Sequence, residues 1–117
     1  MKQRIFLIDN NLSIIELITI ILEDDGYEVI LGQKPFSMSH LILKNPSVII
    51  LHNGRDHAGT RICKEIKDDP LTNTIPVILS STQNNLAYIA TICKADAYLN
   101  RPFDIVDLSN LIKQMIN

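Results

Sequence analysis

Three short runs of consecutive apolar residues stand out along the chain, at positions 5–8, 48–51 and 77–79. Each run is rich in β-branched residues, shows no alternation with polar residues and ends at a polar residue. Runs of this kind are typical of strands that are buried on both faces of a parallel sheet. Two weaker runs at 27–31 and 95–99 follow the same spacing, so the pattern predicts five strands.

The segments between these runs carry apolar residues at helical spacing. They predict helices over residues 12–25, 36–44, 60–69, 86–94 and 103–116. The first contains a broad apolar stripe and is followed at once by Gly26, a residue type that commonly ends helices. Asn45-Pro46 closes the second helix, which has a weaker pattern, and Pro70 ends the third.

Strand and helix therefore alternate five times along the chain. Parallel strands joined by helices need right-handed crossovers, which place helices on both faces of the sheet. The arrangement predicts an α/β protein with a flavodoxin-like, doubly wound parallel sheet of strand order 2-1-3-4-5, in three layers. The chain has 117 residues and shows no repeats or linkers, so we expect a single domain spanning 1–117.

Composition and charge exclude some classes of function for this protein. Hydrophobic residues make up 46% of the chain and charged residues 21%, which are ordinary values for a globular protein. The net charge is −2 and lysines and arginines are scattered singly, which argues against nucleic acid as a partner because such binding needs a basic face. The apolar stretch 12–22 is too short to span a bilayer, and no signal peptide opens the chain. We expect a cytoplasmic protein that does not engage membranes.

The two cysteines, Cys63 and Cys93, lie far apart in sequence and show no metal-ligand spacing. Their simplest interpretation is two reduced, buried residues that behave as small hydrophobes. Reduced cysteines also agree with the expected cytoplasmic location.

Polar residues follow the predicted strands at their carboxyl ends, which is where ligands collect in folds of this class. The clusters are Asp9-Asn10-Asn11, His52-Asn53-Gly54, Ser80-Ser81-Thr82 and Asn100-Arg101-Pro102. We expect them to converge at one edge of the sheet. No glycine-rich phosphate loop follows the first strand, which disfavours nucleotide or flavin binding, and no nucleophile–base–acid arrangement indicates an enzyme.

Several segments of the chain resemble one known family. They are FLIDN at 6–10, LEDDGYEV at 22–29, KDDPLTNTIPVI at 67–78 and ADAYLNRPF at 95–103. In this order they resemble the receiver (CheY-like) domain of two-component response regulators over the whole chain. The resemblance implies the flavodoxin-like fold and a role in two-component or phosphorelay signal transduction.

The family's phosphorylation pocket implies a role for each matching position. An acidic pair and an aspartate hold Mg²⁺ there, the aspartate accepts a phosphoryl group from a histidine kinase, and a Ser/Thr and a Lys bind the phosphoryl oxygens. Asp9 matches the first acidic residue, whereas Asn10 falls where the second belongs. His52 occupies the phosphoacceptor position, Ser81 matches the Ser/Thr, and Arg101 replaces the Lys.

These replacements predict a pocket without the family's chemistry. Only Asp9 remains of three carboxylates and it faces Arg101, so the formal charge of the pocket is near zero with His52 neutral. Mg²⁺ prefers carboxylate oxygens, so we expect no metal or other cofactor, with Asp9 alone a weak candidate ligand. An acyl phosphate cannot form without the aspartate. If Arg101 does not swing to solvent or to a partner, its planar fork can pair with Asp9 and fill the vacated pocket.

Other departures from the family pattern lie around the same edge. The loop after His52 is one residue short if Gly59-Thr60 aligns with the family's Asp-Gly, and Lys94 stands where a glycine is usual. The family's Lys-Pro bond is usually cis, so the resemblance implies a cis bond between Arg101 and Pro102.

The leading hypothesis is a degenerate receiver, or pseudo-receiver, that acts as a protein–protein interaction module and not as an enzyme. The family's output surface, formed by its fourth helix, fifth strand and fifth helix, implies Tyr88, Lys94, Tyr98 and Asn100 as contact residues, with Tyr98 at the position of the switch aromatic. The expected partner is a protein, either a histidine kinase or an output protein. The same face would support a monomer or a weak homodimer.

Two alternatives stay open. A phosphoryl group could be carried on His52 or on a hydroxyl such as that of Ser81, which would keep the chain within phosphorelay chemistry. The vacated pocket could instead bind a small molecule or a metal, for example Zn²⁺ between His52 and His57, although two histidines and one carboxylate are a weak signal. His40 is expected to sit on the second helix without a special role.

Overall fold

A computed structural model describes residues 2–116 of the protein. The strands are β1 (Arg4–Ile8), β2 (Glu28–Leu31), β3 (Val48–His52), β4 (Val77–Ser81) and β5 (Ala97–Asn100). The helices are α1 (Leu12–Asp24), α2 (Met38–Lys44), α3 (Ala58–Asp68), α4 (Leu86–Ile92) and α5 (Ile105–Ile116). All neighbouring strands pair in parallel in the order β2-β1-β3-β4-β5, which confirms the predicted fold class and strand order.

The central strands are buried on both faces, and their side chains divide between two apolar layers. Ile5, Leu7 and Ile50 belong to the layer packed against α1 and α5. Phe6 and Ile49, the neighbouring residues in the same strands, belong to the layer packed against α2, α3 and α4. This explains why the predicted strands show no alternation of apolar and polar residues, since both sides of the sheet are covered by helices.

The segment before β5 differs from the prediction. The strand begins at Ala97 and not at Ala95, and α4 ends at Ile92 and not at Lys94. Lys94 adopts the left-handed conformation with φ 64°, which turns the chain at the position where the resemblance leads one to expect glycine. The side chain of Asp96 then accepts a hydrogen bond of 2.8 Å from the amide of Val77. The residues before Ala97 therefore form a turn that is fastened to the start of β4.

Capping residues set other helix ends differently from the predicted ranges. The hydroxyl of Ser37 accepts a hydrogen bond from the amide of His40, so α2 starts at Met38 and not at residue 36. The carboxylate of Asp104 accepts one from the amide of Val106, and α5 starts at Ile105 and not at residue 103. Short polar side chains at these positions satisfy amides that the helix itself leaves free.

The helix after β3 starts at Ala58, two residues before the predicted start, with His57 in the left-handed conformation at φ 58°. Two peptide bonds are cis, the expected Arg101–Pro102 bond and also the Lys34–Pro35 bond, which the sequence did not predict. Across residues 2–116, no helix has both the length and the apolar character needed to cross a membrane.

Candidate functional site

The polar residues that the sequence places after the strands do meet at one edge of the sheet. Asp9 follows β1 directly, and His52 ends β3. His52 is in register with Ser80 of β4, and Ser81 is in register with Asn100 of β5, so Arg101 comes next to the end of β4. The parallel register thus assembles the site from four strands.

Arg101 and Asp9 form the centre of this site. The Arg101 guanidinium donates a hydrogen bond from Nη2 to Oδ2 of Asp9, and the Asp9 side chain is 0% exposed. The Nε of Arg101 donates to the hydroxyl of Ser80 at 2.9 Å. The other carboxylate oxygen of Asp9 accepts a hydrogen bond from the amide of Asn11 at 3.0 Å. The ion pair that the sequence offered as one of several possibilities is therefore present, with both carboxylate oxygens in use.

Asp9 remains ionised in this environment. Burial by itself would raise the pKa of the carboxyl, because the charged form loses its hydration. The hydrogen bonds from Arg101 and the Asn11 amide and the positive charge of Arg101 outweigh burial, so the pKa of Asp9 lies below its ordinary value. Asp9 and Arg101 consequently form a neutral, buried pair.

His52 lies beside the Asp9–Arg101 pair but is too far from it for a hydrogen bond. Its Nδ1 is 3.8 Å from Oδ1 of Asp9, and its side chain is 23% exposed. Burial and the charge of Arg101 lower the pKa of His52, and the opposing attraction of Asp9 and Asp56 does not offset them. The imidazole at the phosphoacceptor position is therefore neutral at neutral pH, as the charge count at the sequence level assumed.

Ser81 belongs to a second hydrogen-bonded group next to the pair. Its hydroxyl donates to Oε1 of Gln83 at 3.2 Å and accepts from the Gln83 amide. The same Gln83 oxygen accepts from Nδ2 of Asn53 at 2.8 Å. Oδ1 of Asn53 in turn accepts from both the amide and the hydroxyl of Thr60. The chain after β4 is thereby connected to the start of α3.

Three contributors to this group were missed from the sequence. Asn53 was noted only as part of a polar cluster and Thr60 only through the alignment of Gly59-Thr60 with the family's Asp-Gly, and nothing in the sequence singled out Gln83. In the same alignment Gly59 falls at the family's Asp, and the structure shows why a glycine stands there. A Cβ built on Gly59 would lie 2.6 Å from the carbonyl oxygen of His52, so only glycine lets α3 approach the end of β3 this closely.

Asn10 directly follows Asp9 in the chain and is exposed. It lines a cleft of about 290 Å³ together with Ile8, Lys34, Phe36 and Arg61. Within residues 2–116, no group of three or more His, Cys, Asp and Glu side chains could hold a metal ion.

The remaining histidines occupy separate places. His57 is exposed at the start of α3. His40 lies on α2, as expected, with its ring 5.4 Å from that of Phe6.

The four residues expected on the output face are all exposed. Tyr88 is 66% exposed on α4 and Tyr98 is 44% exposed on β5, while Lys94 and Asn100 are also on the surface. A groove of about 510 Å³ runs between β5 and α5. Its lining includes Tyr98, Asn100, Pro102, Phe103, Asp107, Asn110 and Gln114. The apolar side chains of Ile92, at the end of α4, and Ile105, at the start of α5, are also exposed.

Comparisons with known proteins agree on the fold. No family model matches the chain. Over 60 residues, half of the chain, it is 33% identical to "Histidine kinase P4" of Formosa agariphila, and it spans 4% of that protein's length.

Solved structures match over nearly the full chain. The signal receiver domain of a signal transduction histidine kinase from Syntrophus aciditrophicus has a TM-score of 0.86 at 24% identity, covering 97% of this chain and 89% of that one. A CheY-like response regulator receiver domain protein from Methanospirillum hungatei has a TM-score of 0.86 at 22% identity, covering 99% and 94%. The chemotaxis protein CheY4 of Vibrio cholerae has 0.86 at 18% identity, covering 98% and 99%. The chain has the CheY-like fold of receiver domains.

Proposed function

We propose that the chain is a receiver-type module of two-component signalling that acts by protein–protein interaction and is not phosphorylated on aspartate. The observation that carries this proposal is the closed pair of Arg101 and Asp9. Arg101 stands at the position implied for the phosphoryl-binding lysine and uses its guanidinium on Asp9 and Ser80. His52 stands at the acceptor position, where no carboxylate is available to form an acyl phosphate.

The donor set of the pocket does not fit Mg²⁺. This ion needs near-octahedral coordination by hard oxygens, usually from carboxylates and water. Both carboxylate oxygens of Asp9 are already held by Arg101 and Asn11, and the neighbouring charge of Arg101 repels a cation. His52 supplies a nitrogen ligand, and Asn10 is exposed to one side. We therefore propose that the module works without a metal cofactor.

The proposed interaction surface is the face formed by α4, β5 and α5. Two tyrosines, Tyr88 and Tyr98, are exposed on this face, and the β5–α5 groove lies beside them. Exposed aromatic residues are favoured in protein interfaces because they bury a large area at a low cost in conformational entropy. The proposed occupant is an output protein, a histidine kinase or a second copy of the chain.

Phosphorylation of the intact protein tests the main proposal. The chain is incubated with acetyl phosphate and Mg²⁺ and its mass is measured directly, alongside the Asn10→Asp/His52→Asp variant, which restores two carboxylates. We expect the wild type to keep its mass. A phosphoryl adduct on the wild type that neutral hydroxylamine removes would contradict the proposal, since that reaction identifies an acyl phosphate.

Sedimentation velocity over a range of protein concentrations tests the interaction face. Of the three proposed occupants this experiment tests the second copy, for which we expect weak self-association that the Tyr88→Ala/Tyr98→Ala variant abolishes. The control is Leu71→Ala, which removes a side chain that is 72% exposed elsewhere on the surface. Self-association that persists unchanged in the tyrosine variant would contradict the assignment to this face.

A second candidate function is a phosphorelay role for His52 itself. It is favoured by the neutral state and partial exposure of the imidazole, since a neutral nitrogen is the nucleophile in phosphoryl transfer to histidine. Ser81 is a weaker acceptor because it is 1% exposed and its hydroxyl is bonded to Gln83. Intact mass after incubation with a histidine kinase and ATP distinguishes this phosphorelay role from the interaction module. An adduct that is lost in acid and is absent from His52→Asn would favour this candidate.

A further inference from the structure

Two cysteines from different helices meet inside the protein. Cys63 lies on α3 and Cys93 directly follows α4, and the residues are 0% and 1% exposed. Both are free thiols and both belong to the apolar layer under α3 and α4. The Cys63 thiol donates to the carbonyl oxygen of Cys93 over 3.3 Å, and the Cys93 thiol donates to the carbonyl of Ala90. The side chain of one cysteine thus reaches the backbone of the other.

We infer that Cys63 and Cys93 are a redox-sensitive pair that a peroxide converts into an intramolecular disulfide. The Cys63 sulfur is 3.3 Å from the main-chain carbonyl oxygen of Cys93, so the two residues are direct neighbours, and the proposed bond requires side-chain rotation to bring the sulfurs to about 2 Å. This inference is independent of the proposed function, since it rests on the sulfur contacts and not on the pocket or the output face.

The surroundings give the two thiols different reactivity. The interaction with Cys93 raises the pKa of Cys63, and burial raises it further. The interaction with Cys63 lowers the pKa of Cys93 to about 6. Cys93 lies at the end of the seven-residue helix α4, whereas Cys63 lies in the middle of α3, so opening of α4 exposes Cys93 first. Because the thiolate is the nucleophile in cysteine chemistry, the proposal takes Cys93 as the attacking residue and Cys63 as the resolving one.

The reaction needs a peroxide as the oxidant and balances in two steps. The Cys93 thiolate attacks one peroxide oxygen and becomes a sulfenic acid, while the O–O bond breaks and the second oxygen leaves as hydroxide, or as alkoxide for an organic peroxide. The Cys63 sulfur then attacks the Cys93 sulfur, the S–O bond breaks, and the Cys63 proton leaves with the oxygen as water. Two electrons pass from the thiols to the peroxide.

The position of the pair connects its redox state to α4. This helix has 7 residues and no side-chain hydrogen bond at its N-cap, and a helix this short has little stability of its own. Local opening of α4 gives a small oxidant access to the buried sulfurs. The disulfide would fasten the end of α4 to the middle of α3, and α4 carries the exposed Tyr88. Oxidation therefore limits the motion of α4, which is one part of the face formed by α4, β5 and α5.

Thiol counting on the whole chain tests this inference. The reduced protein is exposed to hydrogen peroxide together with free glutathione, which serves as the reference thiol. The protein is then unfolded and alkylated with iodoacetamide, and its mass is measured. We expect a monomer that is lighter by two hydrogens, takes up no alkyl group, and returns to two alkyl groups after reduction. The oxidised protein should also melt at least about 5 °C higher, because the cross-link restricts the unfolded chain.

Two single variants locate the steps. In Cys63→Ser the reaction should stop at a sulfenic acid on Cys93 that dimedone traps, whereas Cys93→Ser should give no dimedone adduct. The wild-type measurement stands even if a variant fails to fold. The inference is overturned if both wild-type thiols are still alkylated after the glutathione is fully oxidised. It is also overturned if the cysteines form only disulfides between chains or only sulfinic and sulfonic acids.

Discussion

The guanidinium of Arg101 reaches the carboxylate of Asp9 across the ends of two intervening strands. Arg101 follows β5 and Asp9 follows β1, and β3 and β4 lie between them in the sheet. The Ser80 hydroxyl, near the end of β4, accepts a hydrogen bond from the Nε of Arg101. A single side chain therefore holds together the edge at which ligands collect in this fold.

Removing Arg101 should destabilise the protein strongly. Arg101→Gln leaves the buried Asp9 carboxylate without its partner, and we expect a loss of about 3–5 kcal/mol in the free energy of unfolding. Urea denaturation measures this. The control is Glu28→Gln, which breaks the exposed pair with Arg4 and should cost less than about 1 kcal/mol. Similar losses in both variants would contradict the role given to Arg101.

The Asp9 and His52 pKa shifts predict that stability falls in acid in two stages. His52 has a folded pKa below its ordinary value of 6.5, so the unfolded chain binds its proton first and stability falls as the pH drops below 6.5. Asp9, with a folded pKa below 3.8, adds a loss that starts near pH 3.8 and is complete below its folded pKa.

His52→Asn should remove the first stage. Denaturation midpoints measured between pH 7 and 5 should depend less on pH in this variant than in the wild type. The matched control His57→Asn changes an exposed imidazole and should keep the wild-type slope. If His52→Asn also keeps that slope, the lowered pKa of His52 is wrong.

Lys67 makes a second stabilising contact, at the opposite edge of the sheet. Its Nζ lies 2.7 Å from Oδ2 of Asp96 and donates to the carbonyls of Asn73 and Ile75. Lys67→Met should lower the free energy of unfolding by about 2–3 kcal/mol, because hydrogen bonds to a charged group are lost and two carbonyls lose a donor. Lys64→Met, on the exposed side of α3, should change it by less than about 0.5 kcal/mol. Equal effects would show that the Lys67 contacts contribute nothing.

Two glycines near His52 test how closely α3 packs against β3. In Gly59→Ala the new Cβ would be 2.6 Å from the His52 carbonyl oxygen, so the backbone must move, at a cost of about 1–3 kcal/mol. In Gly54→Ala the nearest atom would be 3.5 Å away, an ordinary contact, and we expect little change. A thermal unfolding experiment that ranks Gly54→Ala as the more damaging would refute this packing.

The sequence was sufficient for the fold because the three buried runs, β1, β3 and β4, are apolar on both faces, which few other folds require. Element ends were less well predicted. The turn at Lys94 and the cap at Asp104 depend on φ angles and side-chain hydrogen bonds that hydrophobic periodicity does not report.

For a related reason, only some of the contacts in the candidate site could be predicted from the sequence. Asp9 and Arg101 could be paired from the strand order, because both follow strands at the same edge of the sheet. Asn53 and Gln83 could not, since an amide on a loop is ordinary in sequence and acquires its role only when the loop brings it to a partner.

Amide NMR during a Mg²⁺ titration tests most directly whether the pocket has lost metal-dependent chemistry. We expect no saturable shifts at Asn10, Asn11, His52 or Asn53 in the wild type at millimolar Mg²⁺. The Asn10→Asp/His52→Asp/Arg101→Lys variant, with three carboxylates and one lysine, should show them. Saturable shifts confined to these residues in the wild type would contradict the account.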